Sequence, residues 1–144
     1  MSEIFVDTIR KTGGSLGTDI RVKNTSVYES DGGTSVTQNM VQGLIKVWNN
    51  FDGTASGAAS TDSFNVSGMT DHSAGTATTS YTNAMNNTNY CALTIGDDDS
   101  SNQGPSGEQI TRATGSIKFE TRYQGNNVVY DLDNCNVMVA GDLA

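Results

Sequence analysis

Short runs in which apolar and polar residues alternate fill most of this chain, each closed by Gly, Asn or Asp. A period of two is the signature of a strand with one buried face. Ile4 to Ile9 reads as a strand, broken at Gly13-Gly14-Ser15. Asp19-Ile20-Arg21-Val22-Lys23 alternates cleanly, Asn24 to Tyr28 continues it in extended form, and Asp31-Gly32-Gly33 turns. Val41 to Trp48 is the most apolar stretch and holds the only Trp; Val, Ile and Trp favour a strand there, ended by Asn49-Asn50 with Asp52-Gly53. Thr54 to Ser60 is a loop of small residues. Asp62 to Met69 alternates again, placing Phe64, Val66 and Met69 inward. Asp71 to Gly75 forms a hairpin turn. Strands follow over Thr76–Thr82, Tyr90–Ile95, Ser116–Tyr123, Val128–Leu132 and Asn134–Ala140, the last with Val137 and Val139 on one face. Gly96 to Gln109 is a long polar loop. Six or seven strands at this spacing in the last hundred residues predict an antiparallel β-sandwich.

The apolar residues are unevenly spread. The first 38 residues hold few large apolar groups and several breaks, so they cannot bury a core alone. The chain therefore divides into an extended N-terminal attachment or oligomerisation arm, 1–40, and a sandwich domain, 41–144. Ile4, Val6, Ile9, Ile20 and Val22 are the arm residues that copies of the chain could bury together. Composition agrees. Hydrophobic residues are 35% of the 144, while Gly, Ser, Thr and Asn supply well over a third. That excludes a coiled coil, and no apolar run is long enough for a membrane helix.

Net charge is −8. Such acidity repels phosphate backbones, and the eight basic residues form no stripe, so a nucleic-acid role is not expected. The start, Met1 to Asp7, has no basic region followed by an apolar one, so it is not expected to be a secretory signal. Cys91 and Cys135 sit in apolar runs and read as two free thiols; a bridge needs their strands to lie side by side. With one His, they lack zinc-ligand spacing.

Candidate chemistry is sparse. Asp97, Asp99, Ser101 and Glu108 fall at the first, third, fifth and twelfth positions of a calcium-loop-like stretch, but Asn102 stands where such a loop needs Gly. A solvated acidic loop accounts for the same run. Asp71-His72-Ser73 lies on one turn, where a triad cannot converge. Asp62, Asp71, Asp131 and Asp133 lie at turns and strand ends, where Asp is ordinary. The ten aromatics alternate with polar residues and read chiefly as core. No enzyme activity, cofactor or resident metal is expected.

Four segments, in order, carry a resemblance. Val41-Gln42-Gly43-Leu44-Ile45-Lys46-Val47-Trp48-Asn49-Asn50-Phe51-Asp52-Gly53-Thr54 is the first, and Asp62-Ser63-Phe64-Asn65-Val66-Ser67 with Met69-Thr70-Asp71-His72 the second. Tyr81-Thr82-Asn83-Ala84-Met85 with Asn89-Tyr90-Cys91 is the third, and Val137-Met138-Val139-Ala140-Gly141-Asp142 the fourth. Together they resemble a domain of tail-fibre-like proteins of tailed bacteriophages, marine ones especially. Ala140 stands where that pattern usually has Phe. The resemblance implies a virion structural protein, homotrimeric through its arm, bound to other phage virion proteins. Its loops would contact a host-surface glycan or protein, with no membrane insertion. A capsid decoration (cement or knob) protein fits the same motifs. A glycan-cleaving enzyme is the third reading, and nothing in the residues builds its site.

Overall fold

The structure, a computed structural model, describes residues 27–29, 37–39, 43–97, 107–123 and 127–144. Arm residues Ile4, Val6, Ile9, Ile20 and Val22 lie outside them. The described residues form eleven strands and no helix: β1 Val27–Glu29, β2 Thr37–Asn39, β3 Ile45–Asp52, β4 Ala59–Phe64, β5 Val66–Ser73, β6 Thr76–Tyr81, β7 Cys91–Asp97, β8 Gly107–Ala113, β9 Ser116–Tyr123, β10 Val128–Val129 and β11 Asn134–Ala140. The first two pair with each other.

The other nine make two antiparallel sheets. One runs β4-β3-β11-β7; the other has β9 beside β6, β6 beside β5, and both β8 and β10 paired to β9. All-β architecture with antiparallel sheets is thus as the alternation predicts. The sheets meet face to face. Val47 and Phe51 of β3 and Cys135, Val137 and Val139 of β11 pack against Ala77 and Tyr81 of β6 and Ile117 and Phe119 of β9. The Phe51 and Phe119 rings lie 5.3 Å apart across the interface, a spacing that adds stabilisation beyond area burial.

Four sequence expectations change. Of the two pairs expected to end β3, Asn49-Asn50 lies inside the strand, while Asp52-Gly53 marks its end as expected. Asn49 is buried, and its Nδ2 donates to Thr79 Oγ1 at 3.3 Å and Met69 Sδ at 2.9 Å; its Oδ1 is left without a partner. Asn50 Nδ2 donates to Asn134 Oδ1 and Asn136 Oδ1, both at 3.0 Å, forming an amide ladder across β3 and β11. Asn is therefore accommodated in a strand because neighbouring acceptors replace the local bonds it would make in a turn. The strand itself ends at Asp52. The Asp52 Oδ1 accepts from Thr54 N at 2.8 Å and Thr54 Oγ1 at 2.7 Å, which turns the chain and holds its carboxyl below its usual range.

The second change concerns Phe64, which faces outward rather than inward. Asn65 sits at φ 58° between β4 and β5, a left-handed conformation that Asn tolerates. The corner moves the chain from one sheet to the other and resets the alternation. Asn65 also pins it. Its Nδ2 donates to Lys46 O at 3.0 Å and Asn83 O at 3.1 Å, and its Oδ1 accepts from Asn83 N at 2.7 Å. Val66 and Met69 pack against the core as expected.

The third is β8, which begins at Gly107 inside the expected loop. At the β5–β6 turn, Gly75 has φ 65°, and an added Cβ would come within 2.5 Å of Tyr130 N. The fourth is Val128–Leu132, where the strand is confined to Val128 and Val129 and one further backbone bond runs from Tyr130 N to Thr121 O at 3.0 Å.

Candidate functional site

The register sets four large apolar side chains in one row across the outer face of the four-stranded sheet. Phe64 of β4 pairs with Trp48 of β3, Trp48 with Met138 of β11, and Met138 with Leu93 of β7. Successive residues of a strand point to opposite faces. With Val47, Asn49 and Phe51 in the core, Trp48 must point away from it. Met138 is turned outward in the same way between buried Val137 and Val139.

Exposure of the row is high: Phe64 53%, Leu93 66% and Met138 44%, with Ile95 of β7 at 48%. Ile95 pairs with Asn136 one row further along, where Asn136 also pairs with Asn50 and Asn50 with Asp62. Trp48, Leu93, Ile95, Asn136 and Met138 line a groove of about 290 Å³. In β7 the usual order is inverted: the inward residues are Ala92, Thr94 and Gly96, while the large ones, Leu93 and Ile95, face out. The centre of the face carries no charge. Lys46, Asp52, Asp62 and Asp97 stand at its margins, and burial holds the Lys46 ammonium below its usual value, partly opposed by Asp142.

This arrangement can bind an apolar surface. Sequence reading missed it because the row is assembled from strands far apart in the chain. The one usable signal was local: Leu93 and Ile95 alternate with smaller residues.

The sequence-derived candidates fall elsewhere. Asp97 ends β7, and Glu108 lies in β8, where it ion-pairs with Arg122 at 3.4 Å; Asp99 lies outside the described residues. No group of three or more His, Cys, Asp or Glu residues able to hold a metal occurs among the described residues. His72 Nε2 is 2.9 Å from Thr78 Oγ1, a contact on the outer face of the other sheet. Asp131 Oδ1 accepts from Gly75 N, a structural bond that holds the β5–β6 turn.

Both cysteines are free. Their strands do lie side by side, yet Cys91 pairs with Ala140 and Cys135 with Gly96, at opposite ends of the ladder. Cys135 is buried, which pushes its thiol up to about 12, whereas Cys91 is exposed. A second recess of about 410 Å³ lies beside Cys91, lined by Asn87, Asn89, Tyr90 and Asp142. Comparison with protein-family models, with curated proteins and with solved structures returns no match.

Proposed function

We propose that the chain is a virion structural protein of a tailed bacteriophage, a tail-fibre-like component whose β-sandwich is projected for contact with the host surface. One observation carries this reading. The four segments that resemble fibre proteins fall in order on the scaffold: on β3 and its turn, on the β4–β5 corner and β5, on the ends of β6 and β7, and on β11. The likeness therefore follows the core strands rather than one loop. In this reading the protein acts by binding and assembly, three copies associate through the 1–40 arm, and contact with a host glycan or protein falls to exposed loops and faces.

Gold-labelled antibody raised against the sandwich, applied to intact particles, tests it. Label at the tail is expected. Label spread over the head would move the protein to capsid decoration, and particles without label would end the virion reading.

A further inference from the structure

We infer that the outer face of the four-stranded sheet is an interface between two copies of this chain, packed face to face. The inference does not depend on the virion reading. It rests on how the face matches itself.

Consider a two-fold axis parallel to the strands, lying between β3 and β11. It lays β4 of one copy over β7 of the other and β3 over β11. In the first row this puts Phe64 against the other copy's Leu93 and Trp48 against its Met138, since these four share one register row. In the next row Asn50 meets Asn136 and Asp62 meets Ile95. Ring meets aliphatic and amide meets amide, while Asp62, exposed on the edge strand β4, stays at the solvent rim beside Ile95. An amide carries both donors and acceptors, so it is satisfied by its own kind. Asp52 falls opposite the Asn134 end of β11, so no carboxylate faces a carboxylate.

That matters for a chain of net charge −8, for which most other ways of apposing two copies bring like charges together. A polyanionic partner is repelled by the marginal aspartates, and a strongly basic one finds no charge at the centre to meet. The near-parallel strand directions that the axis imposes are those of aligned sheet packing.

Size agrees with a reversible pair. Four strands about 4.8 Å apart and seven residues rising about 3.3 Å each give a face of roughly 19 by 23 Å. Two such faces bury on the order of 1,000 Å², the lower end of specific interfaces. The association should therefore depend on concentration.

The test uses the full chain. Native mass measurement across a concentration series is compared with Leu93→Glu/Met138→Glu, with far-UV circular dichroism as the check on folding. The mass of the wild type should rise with concentration, and that rise should be lost in the variant, whatever the arm contributes. Methyl-labelled Met provides the second readout, free of substitution. The Met138 signal should shift with concentration, while Met85, buried in the core, should not. A mass and a Met138 signal both indifferent to concentration, or a folded variant of unchanged mass, would overturn the inference. Association lost on cutting contacts of the arm but kept in the variant would do so too.

Discussion

Across the outer face of the five-stranded sheet, the register aligns Thr70, Thr78, Lys118 and Thr111 in one row. Across the outer face of the four-stranded sheet, the comparable row is Phe64, Trp48, Met138 and Leu93. Both sheets bury one face in the same core and use the same alternation to do it. Hydroxyls and an ammonium suit a face that meets water. An aromatic and aliphatic row of this length does not, and the largest contiguous apolar patch of a surface is often an interaction site. The core does not require it either, because β7 contributes only Ala92 among its buried apolar side chains. The difference teaches that sandwich formation needs one apolar face per sheet, and that the second on the four-stranded sheet serves a contact outside the fold.

Substitutions in the shared core should have the largest effect and should not distinguish the sheets. Phe119→Ala removes a fully buried ring packed on Phe51, and the expected loss is about 3–5 kcal/mol. Chemical denaturation measures it. A loss below about 1 kcal/mol would mean that the two sheets are not held through this contact.

The corner joining the sheets comes next. Asn65→Ala forces a Cβ-bearing residue without a local amide into φ 58° and removes four bonds, from Asn65 to Lys46 O and Asn83 O and from Asn83 N and Nδ2 to Asn65. About 2–4 kcal/mol should be lost. Asn65→Gly restores the backbone part only, so it should recover about 1–2 kcal/mol of that. Equal losses in the two variants would assign the whole effect to the amide.

Alkaline pH probes the core from the side of β11. Burial raises the Cys135 thiol from 9.0 to about 12. The folded chain keeps a proton that the unfolded chain gives up, so stability is full below about pH 9 and falls as pH rises toward about 12. Burial raises the Tyr81 hydroxyl as well, which adds to the fall. Lys46, held below 10.5, works in the opposite sense. The stability of Cys135→Ala should therefore decline less steeply than that of the wild type between pH 9 and 12, a difference read from denaturation midpoints across that range. Parallel curves would show that the thiol is not sealed in the core.

How much of this was legible in the chain follows from local chemistry. Ser116–Tyr123 and Asn134–Ala140 were readable to the residue, because large apolar side chains at every second position leave one register. Gly107–Ala113 was not: its seven residues contain one Ile, and its pairing with β9 supplies what its own pattern lacks. Alternation carried straight across Asn65 puts Phe64 inward, and only the left-handed corner reverses it. The acidic stretch matches a calcium loop poorly and reads as solvated, and of its candidate ligands Glu108 is an exposed residue that ion-pairs with Arg122. The apolar row could not be found by reading along the chain, since its members are neighbours only through pairing between distant strands.

The smallest effect on stability decides most about the comparison. Leu93→Thr/Ile95→Thr gives β7 the outer residues that β6 already has, and Thr is as good a strand former as the residues replaced. If the outer apolar face is dispensable to the sandwich, the denaturation midpoint should shift by no more than about 0.5 kcal/mol. Lys118→Leu makes the converse change at a half-buried position on the other sheet, and its cost should be as small. Association should then divide the two: reduced by the β7 exchange, untouched by loss of the ammonium. A drop of several kcal/mol in the β7 variant would place Leu93 and Ile95 in the stability of the single chain, and the contrast between the faces would then lie within the fold.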